Sequence, residues 1–212
     1  MHGNTMTQYS IEELICPKCG HAHQVKKYSL INVTEKPDMK EHILQNHIFN
    51  FACENCDLVA PLTYDSLYLD SKKKLMICLA TEDTEKEKLS QWEKKGMTLR
   101  LVDNINDLKE KIMIVENLLD DRIVEIVKIA YLRRLEKEMK DDTLLNILFD
   151  YHGNAMYFLV FFEKKGIGRM PFDLDLYRTT ASQYEKKIKA HSTDTFMKVD
   201  MKWAGDIFFQ RH

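Results

Sequence analysis

Two short stretches of this sequence, "ICPKCGHAHQ" and "FACENCDLVA", each carry two cysteines at the spacing C-x-x-C. The four residues are Cys16, Cys19, Cys53 and Cys56. In a zinc knuckle the chain turns sharply between two such thiolates, so that both sulfurs reach one ion. Pro17 fixes φ within the first turn, and Gly20 permits the unusual backbone conformation that follows it. The two turns therefore predict one tetrahedral zinc site with four thiolate ligands.

A site with four protein ligands is closed. It leaves no coordination position for an activated water, so it predicts a role in folding stability rather than in hydrolysis. Tetrahedral thiolates also suit iron, and a rubredoxin-like redox centre is the alternative metal site. A single C-x-x-C could form a thioredoxin-type redox pair, but two matched turns outside a βαβ pattern favour a bound metal.

Two histidines follow the first cysteine pair. His21 and His23 could replace a cysteine ligand or lie beside the metal, but their position at the start of a strand favours solvent-facing side chains. The fifth cysteine, Cys78, stands among apolar neighbours in "LMICLA", which predicts a buried strand residue.

The elements around the cysteine turns indicate a β-rich region, with "HQVKKYSLINVT" between the turns and "LVAPLTYDSLYLD" and "KKLMICLA" after them. Pro37 suits the first turn of a helix, and "DMKEHILQNHI" continues it with apolar residues on one side. We therefore predict a zinc-ribbon-like antiparallel β region with an inserted helix over residues 1–80.

The remaining residues, 81–212, predict a second region of mixed structure. A charged stretch over 81–95 fits an exposed helix or a linker. Helical periodicity begins near Ile105 and continues through "LLDDRIVEIVKIAYLRRLEKEM". A period of two over 144–162, interrupted by "HGN", predicts a β-hairpin, and "LDLYRTTASQYEKKIKA" predicts a helix near the C-terminus. The fold class is therefore α+β, with a helix pair, a β-hairpin and a C-terminal helix after the ribbon.

Composition and charge restrict the function. The chain has 212 residues, of which 44% are apolar, and its net charge of -2 comes from 31 basic and 33 acidic residues. This balance gives no long-range attraction to nucleic acid or to anionic membranes. Neither a signal peptide nor an apolar run of the roughly 18 residues that a membrane span needs is visible. We expect a cytoplasmic protein, whose reducing surroundings favour metal binding over disulfides.

Other candidate groups have simpler explanations than catalysis. Asp120, Asp121 and Glu125 lie near a helix start, where carboxylates stabilise the helix dipole. A second candidate group precedes Gly153 at the hairpin turn and consists of Asp150, Tyr151 and His152. The third fits one face of a helix and consists of Asp200, Trp203 and Asp206. No nucleotide-binding or hydrolase motif is present. Whether the chain is an enzyme stays open.

Several segments together resemble the CpXC family of bacterial and archaeal proteins. They are "ICPKCGH", "INVTEKPDMKEHILQN" and "FACENCDL", and the resemblance continues through "LRLVDNINDLKEKIMIVENLLDDRIVEIVK". The second turn departs from the pattern, since Glu54 replaces proline and Asp57 stands where the first turn has glycine. The resemblance implies metal binding by the four cysteines of the two turns and implies no established reaction.

These observations favour a structural-zinc module or adaptor that binds a protein partner. The 11 methionines fit this role, because methionine adapts to varied surfaces. A nucleic-acid-binding zinc ribbon is one alternative, supported by local lysine and aromatic clusters such as Lys26, Lys27 and Tyr28. The others are an enzyme with its site in the C-terminal region, around Asp120, Asp150 and His152, and a rubredoxin-like redox protein.

Overall fold

The computed structural model describes residues 6–81, 89–93, 95–138 and 141–209. Within these ranges the chain has ten strands in three sheets and five helices, which confirms the α+β class. It forms two compact units, Met1–Lys109 with Asp194–Met197, and Glu110–Thr193 with Lys198–His212. The charged stretch predicted as a helix or linker lies mostly outside the described residues.

The first unit is built on a five-stranded sheet of order β1-β2-β5-β6-β7. The strands are β1 (Gln8–Ile15), β2 (Ala22–Asn32), β5 (Ser66–Asp70), β6 (Leu75–Leu79) and β7 (Thr98–Val102). Every residue of β5 and β6 is buried, as the nearly continuous apolar sequences of these strands predict. Cys78 lies in β6 and is buried, which confirms its predicted place.

Two of the pairings in this sheet are parallel, β2 with β5 and β6 with β7, while β1–β2 and β5–β6 are antiparallel. A parallel pairing needs a crossover connection. The chain between β2 and β5 supplies one, and it carries α1 (Asp38–Leu44) and a small hairpin of β3 (Asn50–Ala52) and β4 (Val59–Pro61). The predicted helix between the two cysteine turns is therefore confirmed, and the second turn joins β3 to β4.

The second unit packs helices against a three-stranded antiparallel sheet. The unit boundary falls within α2 (Ile105–Glu116), which is followed by α3 (Asp121–Glu138). The sheet has the order β10-β9-β8, formed by β8 (Leu144–His152), β9 (Ala155–Phe162) and β10 (Gly166–Pro171). The predicted hairpin is β8–β9, and α4 (Leu174–Ala190) and α5 (Met201–Phe209) follow the sheet.

The core of the second unit is aromatic at its centre. Phe149, Phe158 and Phe172 contact one another with ring centroids between 5.3 and 6.4 Å apart. Val124 and Val127 of α3 are fully buried in the same cluster. None of the described helices combines the length and the apolar composition that a membrane crossing requires.

Candidate metal centre

The first cysteine turn lies between β1 and β2. The Cys16 N–H donates to the carbonyl oxygen of His21 at 2.9 Å, and the Gly20 N–H donates to that of Cys16 at 2.9 Å. Gly20 has a φ of +72°, a conformation that costs a residue with a side chain about 1–2 kcal/mol. Glycine therefore has the conformational role that the sequence assigned to it.

The second turn closes in the same way despite its different sequence. The Cys53 N–H donates to the carbonyl oxygen of Leu58 at 2.9 Å, five residues along, as Cys16 does to His21. Asp57, at the position equivalent to Gly20, does not have a positive φ, so the second turn does not need glycine there. The departures at Glu54 and Asp57 therefore leave the closing hydrogen bond in place, while the backbone conformation at Asp57 differs from that at Gly20.

The two turns bring their sulfur atoms together. The Sγ atoms of Cys16 and Cys56 are 3.8 Å apart, and those of Cys19 and Cys53 are 3.6 Å apart. All four sulfurs lie within 4.8 Å of one another. A tetrahedral ion with bonds of about 2.3 Å to sulfur separates its ligands by about 3.8 Å. The four thiols are thus close enough to hold one metal ion, and each of the two short contacts joins one turn to the other.

The thiols of this cluster differ in acidity. A hydrogen bond from the Asn55 side chain, assisted by the His21 backbone, lowers the pKa of Cys19 to about 6. The Leu58 N–H lowers the pKa of Cys56, but desolvation and the neighbouring thiols outweigh it and raise that pKa to about 12. Four thiolates this close repel one another unless a cation lies among them. Metal binding at this site would therefore release protons.

The structure corrects the prediction for one of the two histidines. His21 is exposed, as expected, but His23 is only 8% exposed, and its Nε2 lies 3.2 Å from the Sγ of Cys53. Its ring also packs edge-to-face against the ring of Phe51, with centroids 5.2 Å apart. The reason is the pleat of β2, which turns alternate side chains to opposite faces. The sequence signal was the period-two placement of His23 and Val25 on one face.

His23 fits a supporting role better than the role of a ligand. An imidazole protonated at Nε2 can donate a hydrogen bond to the Cys53 thiolate, while the four cysteines already complete a tetrahedron. Groups that contact metal ligands in this way orient them and adjust their basicity. The sequence interpretation of solvent-facing histidines missed this contact because it depends on Cys53, 30 residues away.

The acidic candidates near α3 separate into two environments. Asp120 accepts the Arg122 N–H at 2.9 Å and pairs with its guanidinium at 2.6 Å, so the predicted helix-start role holds for this residue. Asp121 lies in the first turn of α3, so the helix-start role holds for it as well, although it is also buried near a lysine. Glu125 lies beyond the first turn and is buried among lysines, which corrects the prediction for this residue. The Lys111 ammonium lies 2.8 Å from Glu125 and 3.5 Å from Asp121.

Two further charged residues complete a buried ionic network between α2 and α3. Lys128 lies 2.8 Å from Glu110 and 3.0 Å from Glu125, and all three residues are 2% exposed. Glu110 also accepts the backbone N–H of Phe149. Burial raises the pKa of Glu110, with the Lys128 charge opposing the rise. The network, defined here as Glu110, Lys111, Asp121, Glu125 and Lys128, was not predicted, and its side chains are engaged with one another.

The hairpin and C-terminal candidates do not assemble into a site. Among the described residues, neither Asp150 nor His152 makes a side-chain hydrogen bond, and His152 is exposed. Gly153 and Asn154 have φ of +59° and +63°, so the predicted hairpin is closed by a turn of these two residues. Asp200 accepts the Trp203 N–H at 2.8 Å at the start of α5, so it caps this helix.

Comparison with known proteins identifies one relationship. A family model described as CpXC protein matches residues 14–128, which is more than half of the chain and includes both cysteine turns. No curated protein and no solved structure matches this sequence. The matched region ends within α3, and the sheet of β8, β9 and β10 lies beyond it.

Proposed function

Because the chain belongs to the CpXC family, we propose that it is a zinc-stabilised binding module whose partner is a protein. The observation that carries the zinc part is the sulfur geometry, with contacts of 3.6 and 3.8 Å between the two turns. Zn²⁺ accepts four thiolates in a tetrahedron and undergoes no redox change, and a closed site of this type stabilises folding.

The local structure supports a stabilising role for the ion. The β3–β4 sheet has three residues in each strand, and an isolated hairpin of this size is marginal in water. Phe51 is its buried aromatic residue, while both neighbours of Phe51 in β3 are exposed. An ion that ties the β3–β4 turn to the β1–β2 turn would hold this small sheet in place.

The proposed protein partner is supported by the free edge of β1. This strand pairs only with β2 among the described strands, so its other edge can accept an extended segment. Tyr9, Ile11 and Ile15 of β1 are 50%, 59% and 64% exposed. An edge strand that carries exposed apolar side chains beside two acidic ones suits a protein segment better than a nucleic-acid backbone, which agrees with the slightly negative net charge.

The metal part is tested by elemental analysis and an absorption spectrum of protein produced without added metal. We expect one zinc per chain and no visible absorption, together with loss of near-UV circular dichroism after chelation. A red protein that contains iron would overturn the zinc assignment in favour of a rubredoxin-like centre. An unchanged melting temperature after chelation would overturn the stabilising role.

The partner part is tested with an edge-strand variant. Ile11→Lys places a charge on the exposed edge, and Lys27→Gln on the paired strand serves as the control. We expect crosslinking through β1 to a protein from the host extract with the wild type and the control, and at least about tenfold less with Ile11→Lys. Equal crosslinking by all three proteins would contradict the proposal. Salt-dependent binding of single-stranded or duplex probes would favour the nucleic-acid alternative.

A further inference from the structure

The edge strand β1 has an apolar face that contains a single acid. Successive side chains of a strand point to opposite faces of its sheet, so every second residue of β1 shares a face. The face called here the tyrosine face consists of Tyr9, Ile11, Glu13 and Ile15. All four side chains are exposed, and three of them are apolar. Glu13 is therefore the one charged residue that β1 contributes to this face.

Glu13 lacks the partner that the adjacent acid Glu12 has. Glu12 lies on the opposite face of β1, where its carboxylate is 2.6 Å from the Lys27 ammonium and also accepts a hydrogen bond from the Ser10 hydroxyl at 3.1 Å. Within the part of the chain that the structure describes, Glu13 forms no ion pair and no side-chain hydrogen bond. Of two adjacent carboxylates, one is thus neutralised by a lysine of the neighbouring strand and the other is not.

The neighbouring strand β2 does not supply a cation to Glu13. The register of the two strands places Gln24 opposite Glu13. Lys26 shares the tyrosine face but lies opposite Ile11, and its Nζ is 5.0 Å from the centroid of the Tyr9 ring. The ammonium group on this face is therefore engaged with an aromatic ring. A cation for Glu13 would have to come from outside the β1–β2 hairpin.

We propose that the protein segment that adds to the free edge of β1 is an extended strand with a lysine or arginine opposite Glu13 and an apolar residue two positions away on either side. This proposal rests on the β1 edge and the protein partner of the proposed function. Directly opposite residues of paired antiparallel strands have Cβ atoms about 4.5–5.5 Å apart, and opposite charges at such positions stabilise the pairing. The apolar residues would fall next to Ile11 and Ile15 and would cover their exposed side chains.

A second copy of this chain does not meet these requirements through β1. The strand has the sequence QYSIEELI and contains no basic residue. Full antiparallel pairing of two β1 strands would place Glu13 of each copy opposite Ser10 of the other, so Glu13 would gain no cation. Charge complementarity therefore favours a different protein, whose binding segment is basic at one position and apolar around it.

The proposal is tested with two nine-residue peptides in which valine alternates with threonine and the central residue is either lysine or glutamate. Because the pattern reads the same in both directions, each peptide can add to β1 in parallel or antiparallel orientation. Fluorescence anisotropy of the labelled peptides measures their binding to the full chain at low ionic strength. We expect the lysine peptide to bind about fivefold more tightly than the glutamate peptide, because an attractive pair replaces a repulsive one.

Two variants of exposed residues identify the source of this preference. Glu13→Gln should reduce the difference between the two peptides to less than about twofold. Glu12→Gln, the matched control on the opposite face of β1, should retain it. Equal affinities of the two peptides for the wild type would overturn the proposal, as would equal losses of the preference in the two variants.

Amide NMR of the same mixtures separates this proposal from the proposed function. Saturable shifts at β1 with equal affinities of the two peptides would overturn the basic segment and leave the β1 edge as the partner site. Absence of binding, or shifts confined to other strands, would overturn both. Light scattering tests the remaining occupant, since a wild-type dimer that Ile11→Lys converts to a monomer would assign the edge to a second copy and overturn the proposal.

Discussion

The two units each join separate elements with polar groups, but they do so by opposite means. In the first unit four thiols from two turns converge on a point that suits an external ion. In the second unit the buried ionic network joins α2 to α3 with its own lysines and carboxylates. The second unit neutralises its buried carboxylates with its own ammonium groups, whereas the thiols of the first unit are placed so that a bound cation could neutralise them.

The surroundings explain why each solution occurs where it does. The cysteine turns belong partly to three-residue strands, which bury little apolar surface and cannot position a buried charge network. The ionic network lies between two long helices beside an aromatic core, where lysine stems can be buried with their charges. A metal ion suits the region of the three-residue strands, where little apolar surface is buried, and ion pairs suit the well-packed interface of α2 and α3.

The largest effect is expected from breaking the cysteine cluster. Cys16→Ser should abolish stoichiometric metal binding and unfold the region around the two turns, because apparent binding energies of structural zinc are about 10–16 kcal/mol. Metal analysis and thermal unfolding measure this. Cys78→Ala, which alters the buried cysteine outside the cluster, should retain the metal. Retention of the metal by Cys16→Ser would contradict the ligand assignment.

Breaking the ionic network should have the next largest effect. Lys128→Met leaves Glu110 and Glu125 buried with less neutralising charge, and removal of one partner from a buried pair costs about 3–5 kcal/mol. Urea unfolding of the full chain measures the loss. Arg134→Met, which removes the exposed pair with Glu138, is the control and should be close to wild type. Equal stability of the two variants would show that the network is dispensable.

The loss in Lys128→Met should also depend on pH. The Lys128 charge holds down the pKa of Glu110, which burial raises, so removing the lysine raises that pKa further. A carboxyl group whose folded pKa exceeds its unfolded value favours folding in its protonated form, and this contribution is lost as pH rises through the folded pKa. The deficit of the variant should therefore be smaller at acid pH than at neutral pH. A deficit that grows on acidification would contradict this assignment.

His23→Gln should weaken the metal site without destroying it. Residues that support metal ligands contribute about tenfold to a hundredfold in affinity, so we expect faster transfer of the metal to a chelator but unchanged stoichiometry. His21→Gln is the matched control, since His21 is exposed and two residues away. If both variants release the metal equally fast, the contact between His23 and Cys53 has no role.

The smallest effect concerns the difference between the two turns. Gly20→Ala should destabilise the protein by about 1 kcal/mol because alanine is strained at a φ of +72°, although no atom lies within 4 Å of its added Cβ. Asp57→Ala at the equivalent position of the second turn should cost less. The melting temperatures of the two metal-loaded variants measure this difference. Equal decreases in melting temperature for Gly20→Ala and Asp57→Ala would contradict it.

What the sequence could predict was mostly local. The cysteine spacing, the helix between the turns and the alternation that produces β8 and β9 are each visible within about twenty residues. The predicted boundary near residue 80 stays a prediction. The ionic network joins residues such as Lys111 and Glu125, which are 14 positions apart, and nothing in either helix pattern specifies the partner. The parallel pairing of β2 with β5 and the contact of His23 with Cys53 likewise arise from long-range packing.

The bond from the Phe149 N–H to Glu110 has a consequence for self-association. Phe149 lies in β8, an edge strand of the three-stranded sheet, and open strand edges recruit other chains into aggregates. A side-chain carboxylate already occupies this donor, and Pro171 removes a donor from β10 at the opposite edge. One donor at each edge of this sheet is thus withdrawn from pairing with an added strand, and at β8 the residue that withdraws it, Glu110, also pairs with Lys128 in the buried ionic network.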